Sequence, residues 1–295
     1  MSHSVSVLIV CYQGVRTLPA VLQALQTQTM QPAEVILVDS GTDGAAEWVA
    51  QHHPRVRVHR SSRRMFPGEA RNVAVKLAIS DLVAFLDADC VPGEDWVQRI
   101  VQAHQAGDGP SVIGGSVANG ADGQTAWASY LCEFATWMPG ASATQMSDVP
   151  TCTLSAPRAL FVSQPFVTGT YCSDTAWNWE MGRRGVPIRF EPQIRVAHLG
   201  HTRTLSWLRK NAMHGRAFAR VRVASHRFTR TRSAAFTMGS ILLPLVLSWR
   251  TARRVLRQRG YAAQLLRALP LVILGHIAWS AGECAGYAEW AAQGR

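Results

Sequence analysis

Residues 192 to 282 contain no aspartate or glutamate, although they hold 16 of the chain's 30 lysines and arginines. The net charge of +11 is therefore local: this stretch carries +16 and the rest of the 295 residues sums to −5. Other absences narrow the function classes. The six cysteines (11, 90, 132, 152, 172 and 284) show no C-x-x-C spacing, so buried reduced thiols are expected rather than a zinc site or disulfides. Neither G-x-G-x-x-G nor G-x-x-x-x-G-K-[ST] occurs, which removes the dinucleotide fingerprint and the P-loop. Val5 to Cys11 is too short for a signal-peptide core and lacks a basic n-region, so the chain is expected to start in the cytoplasm. With 17% charged and 47% hydrophobic residues and a mean hydropathy of +0.01, neither a disordered chain nor a polytopic membrane protein fits.

What is present in the first half is an alternation. Val5 to Val10 is a continuous β-branched run, predicted as a strand buried on both faces of a parallel sheet. Leu18, Val21, Leu22 and Leu25 recur at helical spacing behind Thr17 and Pro19. Val35 to Val38 predicts a second strand, ending at Asp39 and the turn-rich Ser40-Gly41-Thr42-Asp43-Gly44, and Val56 to His59 a short third. Gly68 to Ala78 predicts a helix with Ala70, Val73, Ala74 and Leu77 on one face; Leu82 to Leu86 predicts a fourth strand closing on Asp87-Ala88-Asp89. Strands alternating with helices argue a right-handed α/β fold. Asp39 and Asp87 then stand at carboxyl ends of strands, where open α/β sheets bind their ligands.

Two carboxylates spaced i, i+2 repel each other unless a cation lies between them, and hard divalent ions take oxygen ligands. Asp87 and Asp89 therefore read as a Mg²⁺ or Mn²⁺ site shared with a substrate diphosphate. The competing reading is a turn, or a cap for the helix predicted over Gly93 to Ala103.

The strings VSVLIVCYQG (5–14), VILVDSGTDG (35–44), GEARNVAVKLA (68–78) and FLDADC (85–90) resemble, in order and spacing, the nucleotide-sugar-binding half of family 2 glycosyltransferases. Downstream, Ser173-Asp174, Gly185, Pro187-Ile188-Arg189-Phe190 and Val196-Ala197-His198 are similar to that family's acidic acceptor-site motif and later histidine. The resemblance covers roughly residues 5 to 222. It implies the GT-A fold, a Rossmann-like, mostly parallel central sheet flanked by helices, over a catalytic domain 1–222. Residues 1–115 would form the nucleotide-sugar-binding half, 116–222 the acceptor side, and 223–295 a helical membrane-associating appendage.

The same resemblance implies residue roles in inverting transfer of one sugar from a nucleotide-diphosphate sugar. Asp39 would hold the base, Arg71 would reach the nucleotide or its phosphates, and Asn72 would support that loop. Asp87 would contact the ribose beside Ala88. Asp89, with Asp87 and His198, would hold Mn²⁺ or Mg²⁺. Asp174 would be the general base, removing the acceptor proton as the hydroxyl attacks. The family's usual acidic pair is Ser173-Asp174 here, which leaves a non-catalytic nucleotide-sugar-binding scaffold as an alternative. A sugar-phosphate nucleotidyltransferase is the other, although Cys11-Tyr12-Gln13-Gly14 replaces its phosphate loop. The Q-x-x-R-W signature of processive members is absent, so single transfer is expected. Trp177 and Trp179 would either stack on a sugar or pack in the core.

From Leu205 the chain reads as a basic helix with Leu208, Ala212 and Phe218 near one stripe. Ser233 to Trp249 and Ala268 to Gly282 are uncharged runs joined by a linker with Arg250, Arg253, Arg254, Arg257 and Arg259. Both fall short of the ~20 residues of a spanning helix. A hairpin across the membrane would also send those arginines outside, against the positive-inside tendency. The expectation is a peripheral or re-entrant helix pair on the anionic cytoplasmic face, with a transmembrane hairpin and a protein-covered tail as alternatives. Such attachment suggests a lipid-linked or glycan acceptor. Nucleic acid is not an expected partner, because the charges are interleaved with apolar runs.

Overall fold

The computed structural model describes residues 4–107, 109–200 and 203–293. They form two compact units, one of residues 1–118 and 137–199, the other of 119–136 and 200–295. This division differs from the expected boundary at 222, because residues 119–136 and the helix after His198 belong with the C-terminal unit.

In chain order the elements are β1 (Val5–Cys11), α1 (Leu18–Gln26), β2 (Glu34–Asp39), α2 (Ala45–His52), β3 (Arg57–Arg60), α3 (Pro67–Leu77), β4 (Leu82–Asp87), β5 (Cys90–Pro92) and α4 (Trp96–Gln105). They continue through β6 (Val112–Asn119), α5 (Gln124–Phe134), β7 (Thr144–Gln145), a 3-10 turn (Thr151–Thr153), β8 (Leu154–Pro157), α6 (Arg158–Ser163), α7 (Ser173–Arg183) and β9 (Ile188–His198). The predicted strands and helices of the first half all form, with ends displaced by one to three residues. Thr17 precedes α1 but its hydroxyl turns back to the Gly14 carbonyl, 3.2 Å away, instead of capping the helix.

The sheet of the first unit runs β3-β2-β1-β4-β8-β6-β9-β5, with β7 paired to β9. The first four strands are parallel, as the β-branched runs require. Beyond β4 the pairings of β8 with β4 and β6, and of β9 with β5 and β7, are antiparallel. Register brings the site residues to one edge: Cys11 pairs with Asp39 and Val10 with Asp87, so two carboxylates flank the end of β1. The core beneath is aromatic. Phe85, Phe161, Phe166 and Trp177 are at most 2% exposed, and Phe161 stacks on Trp177 at 4.4 Å. Each such ring contributes roughly 2–3 kcal/mol by burial.

In the second unit α8 (Thr204–His226), α9 (Arg230–Gly239), α10 (Leu243–Arg257) and α11 (Ala262–Gln293) join α5. The run 268–282 is not an element of its own but the middle of the 32-residue α11, which packs on α5, α8, α9 and α10. A Cβ at Gly282 would stand 2.0 Å from the Ala212 carbonyl oxygen, so only glycine lets α8 and α11 approach this closely. That contact also selects the buried face of α8: Trp207, Gly215, Ala219 and Val223 face inward, whereas Leu208, Ala212 and Phe218 are half-buried. Residues 262–292 are long and apolar enough to cross a membrane, and so are α9 and α10 taken as a pair bent by 66°.

Candidate functional site

The loops at the ends of β1, β2 and β4 are stitched together by side chains. Asp39 is 1% exposed; its Oδ1 accepts the Gly41 N–H at 2.9 Å and its Oδ2 the Ala46 N–H at 3.2 Å. It thus braces the turn into α2. Asp43 Oδ2 accepts the Val15 N–H at 2.9 Å, tying the β1 loop to the β2 loop. Its Oδ1 is buried with no hydrogen-bond partner among the described residues.

Arg71 rises from α3 into the floor of the site and is 5% exposed. One amino group donates to Asp87 Oδ1 at 3.2 Å, while its Nε is buried without a partner among the described residues. Desolvation pushes the Asp87 carboxyl above its ordinary range; Arg71 pulls it down, and the neighbouring Asp89 charge pushes it up again. Ala88 and Asp89 form the turn between β4 and β5, and α4 begins only at Trp96, so this triplet caps no helix. The two carboxylates take different partners: Asp87 turns to Arg71, and Asp89 Oδ2 lies 3.4 Å from Nε2 of His198. His198 reaches Asp89 because β5 and β9 are antiparallel partners with Cys90 opposite His198.

Donor atoms of Asp89, Cys90 and His198 lie within 4.8 Å of one another. A carboxylate, an imidazole and excess negative charge at one point fit a divalent cation. Asp89 and His198 are the pair the sequence places there; Asp87 stands outside that group of donors. Cys90 was legible only as one of six scattered thiols, and its signal is adjacency to Asp89 together with the strand pairing. None of the six cysteines forms a disulfide, and Cys11, Cys90 and Cys152 are buried while the other three are half-buried.

Asp174 occupies the first turn of α7, where its Oδ2 accepts the Thr151 hydroxyl at 2.9 Å. Nothing in the sequence singles out Thr151. The 3-10 turn that carries it packs against β4 and β9, the strands that lead to Asp87 and His198. Ser173, where the family's first acid belongs, is 1% exposed and packs on α3: a Cβ at Gly68 would stand 2.5 Å from its Oγ. Asn72 holds the segment between α6 and α7 by a double hydrogen bond to Phe166, accepting its N–H at 2.9 Å and donating to its carbonyl at 2.8 Å. Its amide is engaged by backbone. Trp177 is a core residue, stacked on Phe161 with its Nε1 donating to the Gln164 carbonyl at 2.7 Å, so it cannot serve as a sugar platform.

A family model described as glycosyl transferase family 2 matches residues 6–160. The chain is 30% identical over 119 residues to glycosyltransferase AglE of Haloferax volcanii, covering 38% of this chain and 39% of that protein. It is 29% identical over 119 residues to glycosyltransferase GlyG of Streptococcus pneumoniae, covering 39% of each. The chain thus spans about two-fifths of the length of these relatives. Among solved structures, mannosyltransferase PcManGT from Pyrobaculum calidifontis, in complex with GDP-Man and Mn²⁺, superposes with a TM-score of 0.62 at 16% identity, over 98% of this chain and 86% of that one. GalNAc-T7 with UDP, GalNAc and Mn²⁺ gives 0.56 at 15% identity, over 74% and 47%. The central sheet is accordingly that of a GT-A fold. With the family model matched over more than half of its residues, the chain belongs to glycosyltransferase family 2.

Proposed function

We propose that the protein is an inverting, metal-dependent glycosyltransferase that moves a single sugar from a nucleotide-diphosphate sugar to an acceptor hydroxyl at a membrane surface. The observation that carries this reading is the division of labour between two carboxylates at the end of β4, Asp87 paired with a buried arginine and Asp89 paired with a histidine. Asp39 and Arg71 would orient the nucleotide, with the partnerless Arg71 Nε as the donor still available to a phosphate. Mn²⁺ or Mg²⁺ held by Asp89 and His198 would supply charge compensation for the departing diphosphate. Asp174 takes the acceptor proton, and Thr151 keeps its carboxylate turned for that transfer. The Mn²⁺ and nucleotide ligands of PcManGT and GalNAc-T7 support both the metal and the donor class.

The membrane part of the reading rests on the second unit. Large apolar side chains at Met238, Ile241, Leu242, Leu245 and Trp249 are 60–71% exposed on α9, α10 and their link. Arg250, Arg253, Arg254 and Arg257 project beside them into solvent. Exposed apolar surface next to arginines, in a stretch with no acid, matches an anionic leaflet at about 1 kcal/mol per arginine. α11 is packed on four helices, which favours a peripheral or re-entrant attachment on the cytoplasmic face over a spanning hairpin, and a lipid-linked or glycan acceptor. Nucleic acid is not part of this reading.

The test is donor hydrolysis across a panel of nucleotide sugars with Mn²⁺. Turnover that chelation abolishes and Asp174→Asn removes is expected. Clean donor binding without turnover for every sugar would overturn the enzymatic reading in favour of a scaffold.

A further inference from the structure

The structure assigns Cys90 a place in the metal centre as a sulfur ligand beside Asp89 and His198, giving the site a thiophilic character. This rests on reading the Asp89 and His198 pair as a metal site. Cys90 and His198 are directly opposed in the antiparallel β5/β9 pair, and opposed residues project from the same face of a sheet. Cys90 Sγ lies 3.8 Å from Asp89 Oδ1, His198 Nε2 lies 3.4 Å from Asp89 Oδ2, and one donor atom from each residue falls within a 4.8 Å group. A tetrahedral ion with bonds of about 2.3 Å to sulfur and about 2.0–2.2 Å to nitrogen and oxygen has ligand–ligand edges of roughly 3.3–3.7 Å. The two separations are close to those edges, one at each carboxylate oxygen of Asp89, and a single oxygen lies within 4.8 Å of both the Cys90 and the His198 donor atoms.

The donor set decides which ion the site prefers. Mg²⁺ calls for six hard oxygens, whereas a carboxylate, an imidazole and a thiolate suit Zn²⁺, Co²⁺ or Cd²⁺, with Mn²⁺ between. On binding, the Cys90 S–H bond breaks, its proton leaves to solvent, and a sulfur–metal bond forms with no change in oxidation state. Asp89, with a side chain 41% exposed, is the open side through which an ion and a donor diphosphate meet. Cys152 is also buried and its thiol neighbours Cys90, but it lies outside the three-residue donor group, which makes it an internal control.

The experiment titrates the full-length protein, free of nucleotide, with CoCl₂ and with CdCl₂ and follows the ultraviolet sulfur-to-metal charge-transfer band. The wild type and Cys152→Ser should show it, and Cys90→Ser should lose it while binding Cd²⁺ about 10–100-fold more weakly. A wild-type complex without the band, or a band that survives in Cys90→Ser, overturns the proposal. If the band is missing while Mn²⁺-dependent donor turnover remains, Cys90 is excluded and the metal site stands. If calorimetry finds no divalent ion bound to the wild type, the metal site falls with it.

Discussion

Replacing Asn72 by alanine separates a residue that touches the donor from one that shapes the site. The side chain makes two hydrogen bonds to Phe166, at 2.8 and 2.9 Å, and Phe166 is 2% exposed. Each bond is worth about 1 kcal/mol net, and leaving the buried N–H and C=O unsatisfied raises the loss to about 2–4 kcal/mol in total. Burial of the Phe166 ring among Phe85, Phe161 and Trp177 still contributes roughly 2–3 kcal/mol, so the segment stays docked but loses its register. For a unit of this size each kcal/mol moves Tm by about 2–4 °C, which gives a fall of roughly 4–16 °C. Thermal unfolding by circular dichroism reads that fall, and calorimetry with nucleoside diphosphate should find affinity within about threefold of wild type. Asn72→Asp, which keeps the acceptor and loses the donor, should fall in between. An unchanged Tm together with a tenfold or greater loss of nucleotide affinity would refute the tether and put the amide on the donor.

Thr151→Val is nearly isosteric and removes only the hydroxyl held to Asp174, so kcat should fall roughly 10–100-fold with donor KM within about twofold; an unaltered kcat would show that Asp174 needs no positioning. Burial alone would raise the Glu34 carboxyl, but the Ser6 hydroxyl, the Ile79 N–H and Arg57 together hold it below its ordinary value of 4.5. Its contribution is therefore present above the unfolded-state pKa and lost as pH falls through the lower folded one. Glu34→Gln should cost about 1–2 kcal/mol at pH 7 and progressively less below pH ~4, and a pH-independent difference by denaturant titration contradicts this. Leu245→Asp and Trp249→Asp should each weaken binding to vesicles rich in anionic lipid by about tenfold or more without lowering Tm, because both side chains are already exposed. Equal vesicle binding by wild type and variants would remove α10 as the membrane face.

The sequence by itself determined the parallel half of the sheet. Strands buried on both faces must be continuous β-branched runs, and helices between them must repeat apolar residues every three or four positions, so β1, β2, β4, α1 and α3 carry their own signal. It also determined that Asp39 and Asp87 end strands, and that the net positive charge comes from the acid-free stretch 192–282. Only tertiary structure decided what those carboxylates do. Asp87 goes to Arg71 and Asp89 to His198 because β9 returns antiparallel against the three-residue β5, a pairing between segments far apart in sequence that leaves no periodicity to read. Thr151 reaches Asp174 in the same way, across a turn with no pattern of its own. Trp177 enters the core rather than the sugar site because Phe161 presents a ring to its face. Residues 268–282, too short to span a membrane when read alone, become the centre of a 32-residue helix, because glycine and alanine let α8 and α11 touch backbone to backbone. Local periodicity encodes elements, and the contacts between elements, which place each charge next to its partner, arise only when those elements pack.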